Sequence, residues 1–127
     1  MGIDEELIDL RLSLKLNQKE LYRWSNYTSG EDGDLAKHQN FITALRKQAR
    51  LKDVIRDLSN RIEQLEKERK EIVELIGKFT GLNQQILKLK YVEGLTLESI
   101  ADETGYAYQY IKNKHAELMR IIKFDRG

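Results

Sequence analysis

Apolar residues recur at helical spacing near the start of the chain. Five of them follow one another at intervals of four, three, four and seven positions: Ile3, Leu7, Leu10, Leu14 and Leu21. These intervals place the side chains on one stripe of an α-helix, so we predict an amphipathic helix from about Asp4 to about Trp24. Residues 25–34 are polar and contain two glycines, which predicts a loop in which Asp34 caps the following helix.

A seven-residue register of apolar positions runs through the next segment, which has no glycine before Gly77. One column consists of Leu51, Leu58, Leu65, Ile72 and Phe79, and a second column of Ile55, Ile62 and Ile76. Two such columns are typical of a coiled-coil seam, so we predict a long helix from about Leu35 to Phe79. Arg69 replaces an apolar member of the second column. It either fixes the register of the seam or extends its side chain to solvent.

The two predicted helices differ in length, because roughly 45 residues of helix span about 65 Å and the first helix only about 30 Å. Folded back antiparallel, the first helix would cover the seam only as far as the high fifties. Four acidic residues would then face four basic ones: Asp4, Glu5, Glu6 and Asp9 opposite Arg46, Lys47, Arg50 and Arg56. The seam from Leu58 to Phe79 would stay bare, so we predict a homodimer or higher oligomer that buries it. In the alternative, the C-terminal segment folds back over it.

Glycines divide the last third of the chain into short helices. Between Gly81 and Gly94 the apolar residues predict a short helix that ends at Gly94. Thr96 is suited to cap a second helix over 97–104, and a third helix begins near Ala107 after Gly105.

The spacing of Ala101, Gly105 and Ile111 is typical of a helix-turn-helix. Two helices that cross steeply need a small residue at the crossing, a residue tolerant of positive φ in the turn and an aliphatic anchor beyond it. Tyr106 is expected to add an apolar contact just after the turn. An ordinary compact bundle of three short helices is the alternative.

We therefore predict an all-α protein of two domains. Residues 1–79 form an N-terminal antiparallel helical hairpin or coiled coil for oligomerisation, and residues 80–127 form a three-helix helix-turn-helix domain that binds DNA.

Composition narrows the class of protein. The 127 residues contain no proline and no cysteine, so disulfides and cysteine-ligated zinc are excluded. The two histidines have no ligand spacing, and we find no catalytic motif, so we expect no metal, no cofactor and no enzymatic activity. No apolar run could span a bilayer and the start Met1-Gly2-Ile3-Asp4 has no export signal, so we expect a cytoplasmic protein without a membrane partner.

Charge is distributed unevenly although the formal net charge is only +1. Residues 1–35 carry four basic and eight acidic side chains, whereas residues 36–79 carry eleven and seven. Residues 80–127 carry seven and six, a weak basic excess for a nucleic-acid binder.

The run QILKLKYVEGLTLESIADETGY, residues 85–106, resembles the fourth region of bacterial sigma factors. The whole chain resembles small phage and prophage proteins of Gram-positive bacteria that are known as sigma-like or ArpU-like transcriptional regulators. The resemblance implies transcriptional control, with double-stranded DNA as a partner and RNA polymerase as a further one.

If the segment docks on DNA as helix-turn-helix proteins do, the helix that begins near Ala107 enters the major groove. Four residues would face the bases: Tyr108, Gln109, Lys112 and Asn113. Gln109 and Asn113 have the donor and acceptor that read adenine, and Lys112 can reach guanine or a phosphate. Three further residues would contact phosphates: Lys114, Arg120 and Lys123. The sequence departs from the sigma pattern in starting this helix with Ala107 and Tyr108 instead of serine and arginine.

Three functions follow from these observations. The first is a sequence-specific transcription regulator of the phage or prophage type. The second is a DNA-packaging protein similar to a small terminase subunit, which also joins a helix-turn-helix to oligomerising helices. The third is a sigma-like adaptor that binds a protein and no DNA.

Overall fold

A computed structural model of the chain describes residues 2–26 and 35–126, with the backbone alone for 35–38 and 124–126. Every regular element in these ranges is helical, which confirms the all-α class. The helices are α1 (Ile3–Ser25), α2 (Leu35–Ile76), α3 (Gly81–Leu87), which continues as a π-helical turn (Lys88–Val92), α4 (Leu97–Thr104) and α5 (Tyr108–Arg126). Among the described residues, no helix has the length and apolar character needed to cross a membrane.

The helix boundaries agree closely with the predicted ones. The proposed cap Asp34 lies outside the described residues, as does most of the predicted loop. The long helix ends at Ile76 rather than at Phe79, because Gly77 begins a turn in which Phe79 N donates to Ile76 O at 3.0 Å. The helix predicted to end at Gly94 changes from α to π winding at Lys88, and Glu93 N donates to Lys88 O at 3.2 Å.

The chain forms two compact units. One comprises Ile8–Gln64, and the other comprises Met1–Leu7 together with Leu65–Gly127. The start of α1 and the second part of α2 thus belong with the C-terminal helices, whereas the sequence predicted one division between residues 79 and 80. We call the two units the hairpin unit and the C-terminal unit.

The core of the C-terminal unit comes from the end of α2, from α3 and its π-helical turn, and from α4 and α5. Its buried members are Ile76, Ile86, Leu87, Leu89, Val92, Ile100, Ala101, Ile111 and Leu118. Ile72 and Phe79, from the second half of the predicted seam, pack against this core. The C-terminal segment therefore covers the end of the seam, as the alternative prediction had it.

The two seam columns form the buried side of α2, as predicted. The prediction that the seam from Leu58 to Phe79 would be exposed to solvent within one chain is wrong. In the hairpin unit Leu58 is half-buried and Ile62 is 8% exposed. In the C-terminal unit Leu65 is 2% and Ile76 7% exposed. The chain buries these residues by itself, so the seam no longer supports an oligomer.

Within each unit, α1 contacts α2 at positions further along α2 than predicted. In the hairpin unit, Gln48 Nε2 donates to the Trp24 carbonyl at 3.0 Å, and Lys47 Nζ lies 4.9 Å from the centre of the Trp24 ring. In the C-terminal unit, Arg69 Nε donates to Asp4 Oδ1 at 2.6 Å. The predicted pairing of Asp4 with the basic residues between Arg46 and Arg56 is therefore wrong.

Arg69 is paired with Asp4 and does not extend freely into solvent. Its hydrogen bond to Asp4 and the charge of that carboxylate raise the pKa of the guanidinium above its ordinary value. The ion pair holds the first turn of α1 against α2 inside the C-terminal unit. Both side chains remain about 40% exposed (42% and 40%), so the pair acts mainly as a positional constraint.

Candidate functional site

The turn between α4 and α5 has the local geometry that the sequence predicted. Thr96 caps α4, and its hydroxyl oxygen accepts a hydrogen bond from Ser99 N at 3.1 Å. Gly105 ends α4 in the left-handed conformation at φ 78°, and its N–H donates to Ala101 O at 2.9 Å. A side chain at Gly105 would strain this turn, which is why glycine occupies it.

The small residue and the aliphatic anchor of the motif are both buried. Ala101 is 6% exposed and Ile111 is fully buried in the same core cluster, so these two local predictions are confirmed. Tyr106 makes an apolar contact just after the turn, but outside the core, because its side chain is 48% exposed. Its ring stacks on that of Tyr110, with centroids 5.2 Å apart and planes 19° from parallel.

Helix α5 has one buried and one exposed side. Ile111 and Leu118 are buried and His115 and Ile122 half-buried, at spacings that place all four on one side. On the other side, six of the seven residues predicted to contact DNA lie within an arc of about 140°. They are Tyr108, Gln109, Lys112, Asn113, Arg120 and Lys123, and all six are exposed. We call this surface the α5 outer face.

Lys114 is the predicted phosphate ligand that the structure does not bring to the α5 outer face. It follows Lys112 by two positions, which places the two side chains about 160° apart around the helix. Its side chain is half-buried, and its Nζ lies 5.9 Å from the centre of the Tyr110 ring. The grouping of Lys114 with the other candidates came from sequence order alone and ignored helical rotation.

Gln109 and Asn113 are paired on the α5 outer face. Gln109 Nε2 donates to Asn113 Oδ1 at 3.0 Å, one helical turn away. Within this pair the Gln109 carbonyl oxygen still accepts and the Asn113 amide nitrogen still donates. The two side chains therefore present one acceptor and one donor next to each other.

The charges on α4 and on the α5 outer face differ in sign. The α5 outer face carries three cations, Lys112, Arg120 and Lys123, and no acidic residue among 108–123 lies within its arc. Glu117, one turn after Asn113, is the nearest acid along the helix. Three acidic residues are exposed on α4 instead: Glu98, Asp102 and Glu103. The nearly balanced local charge thus conceals a basic helix face, which was invisible in a sum over residues 80–127.

Tyr91, His115 and Met119 form a polar cluster between α5 and the π-helical turn. The sequence did not predict this cluster, because His115 was considered only as a metal ligand. The Tyr91 hydroxyl donates to Met119 Sδ at 3.3 Å and shares a hydrogen bond with His115 Nε2 at 2.7 Å. Burial, together with the charge of Lys90, lowers the pKa of His115, and burial raises the pKa of Tyr91. Both shifts favour the neutral side chains that link α5 to the π-helical turn.

Acidification is expected to destabilise the fold through His115. Its pKa in the folded chain lies below the ordinary 6.5, so the unfolded chain binds the proton first as the pH falls. The contribution of His115 to the free energy of unfolding is therefore largest above pH 6.5 and decreases below it. The midpoint temperature of thermal unfolding should decrease when the pH is lowered from 7.5 to 5.5, and it should decrease less in His115→Gln. Tyr91→Phe, which keeps the imidazole, should retain the full decline; an unchanged slope in His115→Gln would contradict this.

The start of α1 forms a second feature without a clear sequence signal. Gly2 is buried against the backbone at the end of the π-helical turn, and a Cβ atom there would lie 2.5 Å from Gly94 N and 2.6 Å from Val92 O. Only glycine allows this approach of two backbones. The start of α1 therefore packs against residues 92–94, the segment that precedes α4.

No group of three potential metal ligands occurs among the described residues. Comparisons with protein-family models, with curated proteins and with solved structures give no match for this chain.

Proposed function

We propose that the chain is a sequence-specific DNA-binding transcription regulator, in which α4 and α5 form a helix-turn-helix and α1 and α2 an antiparallel helical pair. The observation that supports this best is the α5 outer face. Its six candidate residues are exposed, and three of them, Gln109, Asn113 and Arg120, lie roughly opposite the buried Ile111 and Leu118, so the helix can enter a groove without loss of the core.

The paired amides supply the base-reading chemistry of this proposal. Adenine offers the N6 amino group as donor and N7 as acceptor in the major groove. The free Gln109 oxygen and the free Asn113 amide nitrogen match these two groups while their mutual hydrogen bond is kept. The pair is already ordered, so less side-chain entropy is lost on binding than with two independent amides.

The cations supply the sequence-independent part of binding. Lys112, Arg120 and Lys123 follow one side of α5, where they can contact phosphates on either side of the groove. A single face with three cations releases few counterions, so one copy binds weakly and its affinity falls with salt less steeply than that of a protein with many phosphate contacts.

A matched pair of lysines tests the proposal. Full-length chain is used to select duplexes from a random pool, and affinity for the selected duplex is then measured by fluorescence anisotropy at several salt concentrations. Lys112→Ala should weaken binding and reduce the slope of log K against log salt by about 1. Lys114→Ala removes the same charge from the other side of the helix and should change neither quantity.

Equal effects of the two substitutions would mean that lysine charge acts without regard to the face and would overturn the proposed docking. Failure to select any duplex would favour the adaptor function instead. The specific observation for that function is the exposed aromatic pair of Tyr106 and Tyr110, because exposed tyrosines are enriched where proteins bind proteins.

A further inference from the structure

The excess of positive charge lies in the hairpin unit and not in the unit that contains the proposed DNA-binding helices. The C-terminal unit, residues 1–7 and 65–127, carries 11 basic and 13 acidic side chains, whereas the hairpin unit, residues 8–64, carries 11 and eight. Residues 10–52 alone carry nine basic and four acidic side chains. A DNA-binding protein normally has a basic surface. The basic excess that the C-terminal unit lacks is therefore found in the hairpin unit.

Four exposed cations lie close to the contact between α1 and α2 at Trp24. Arg23 Cζ is 5.8 Å and Lys47 Nζ 4.9 Å from the centre of the Trp24 ring. Arg46 and Arg50 are on the same side of α2 as Lys47, because the three side chains share an arc of about 100°. All four cations are exposed. We call Arg23, Arg46, Lys47 and Arg50 the hairpin cationic cluster.

The described acidic residues near this cluster already have partners. Glu20 Oε1 accepts hydrogen bonds from Trp24 Nε1 at 2.9 Å and from the cluster's own arginine on α1 at 3.1 Å. Asp53 and Asp57, the first acids of α2, are paired with Arg56 at 3.3 and 3.5 Å. The acidic first turn of α1, which was expected to neutralise these cations, belongs to the C-terminal unit. The three cluster cations on α2 thus form no ion pair with a described residue.

We propose that the hairpin cationic cluster binds the phosphate backbone of duplex DNA, as a second contact that adds affinity without reading bases. The proposal rests on the proposed function for the identity of its partner. Arg46 and Arg50 lie one helical turn apart and repel one another, and a bound phosphate relieves this repulsion. Their guanidinium groups can each donate two parallel hydrogen bonds to phosphate oxygens. Lys47 is held beside the Trp24 ring, so it loses less side-chain freedom on binding.

The two surfaces contribute differently to binding of the same partner. The α5 outer face has paired amides for the bases but only three cations. The hairpin cationic cluster adds four cations, and contacts of such groups with phosphates carry no sequence information. Duplex DNA is the polyanion that uses both surfaces, whereas an acidic protein would leave the amides of α5 without a function.

Anisotropy of the full chain on the selected and the scrambled duplex, over a range of salt concentrations, tests the proposal. Arg46→Gln/Arg50→Gln should weaken binding to both duplexes by a similar factor, roughly 10- to 100-fold at about 0.1 M salt, and should lower the slope of log K against log salt by about 2. Arg46→Lys/Arg50→Lys keeps both charges and should keep the slope. Lys67→Gln/Lys70→Gln is the matched control, because it removes two exposed cations from the part of α2 in the C-terminal unit and should change neither quantity. Circular dichroism shows whether each variant keeps its helices.

A competition separates DNA from an acidic protein surface. Duplex DNA carries one charge per roughly 1.7 Å and releases condensed counterions on binding, whereas extended polyglutamate carries one per about 3.5 Å. Polyglutamate added at equal charge should therefore displace much less of the labelled scrambled duplex than unlabelled duplex does. Equal displacement would assign the cluster to acidic proteins and overturn the proposal.

A similar loss on both duplexes together with the lower slope would establish the second contact. Unchanged affinity in Arg46→Gln/Arg50→Gln would overturn it and leave the α5 outer face to be judged by Lys112→Ala. A loss confined to the selected duplex, or an equal loss in Lys67→Gln/Lys70→Gln, would overturn it as well. If no duplex is selected but the scrambled duplex binds and Arg46→Gln/Arg50→Gln abolishes that binding, the second contact stands and the proposed base reading fails.

Discussion

Alanine at both Gln109 and Asn113 is expected to lower affinity for a selected duplex by roughly 10- to 100-fold, with little change for a scrambled duplex. The two amides form one hydrogen-bonded pair on the α5 outer face and carry no charge, so their removal affects base reading and not phosphate binding. Anisotropy measurements on both duplexes at one salt concentration give the ratio directly.

The chain offers a matched control for this experiment. Asn60 and Gln64 are exposed amides one helical turn apart on α2, at the spacing of Gln109 and Asn113. Their replacement by alanine should leave both affinities unchanged. Equal losses on the selected and scrambled duplexes in the Gln109→Ala/Asn113→Ala variant would show that the pair does not read sequence.

Valine at Gly2 is expected to destabilise the C-terminal unit by roughly 3 kcal/mol, the upper part of the usual range for overpacking. The first side-chain carbon would already lie 2.5 Å from Gly94 N and 2.6 Å from Val92 O, and backbone atoms cannot move aside as a flexible side chain does. Denaturant unfolding followed by circular dichroism should show a lower midpoint for Gly2→Val.

Ser13→Val is the control for the Gly2 experiment. It places the same side chain at an exposed position of α1 and should alter the midpoint little, apart from the slightly lower helix propensity of valine. A Gly2→Val chain as stable as the unaltered one would mean that the start of α1 does not rest against residues 92–94 in solution.

The helix limits were well predicted because their signals are local. Thr96 caps α4 through its own hydroxyl, and Gly105 takes a backbone conformation that other residues adopt only with strain. The heptad columns likewise identified the buried side of α2, since a periodic apolar stripe is buried whichever partner covers it. The π-helical turn at Lys88–Val92 has no comparable local signal and was missed.

The prediction of a bare seam failed because periodicity does not identify the covering partner. Helix lengths alone placed the start of α1 opposite the fifties, whereas Asp4 pairs with Arg69. Close to Asp4 in the chain, Gly2 approaches residues 92–94, another contact between segments distant in the chain.

For the candidate site, the sequence correctly predicted which kinds of side chain α5 carries, but not on which face of the helix each one lies. Six of the seven predicted residues share the α5 outer face, and helical rotation by itself separates Lys114 from Lys112. The burial of Ile111 and Leu118 decides which side of α5 is free. The segregation of acidic side chains on α4 from cations on α5 likewise depended on which helix faces the core buries.

By itself, the amino-acid order determined that this chain is helical, where its helices begin and end, and which stripe of each long helix is apolar, because these properties depend on neighbours within a few residues. Only the tertiary structure decided what covers each stripe and which side of α5 remains open. Those outcomes depend on packing between segments distant in the chain, such as the close backbone approach at Gly2, which local preferences do not specify.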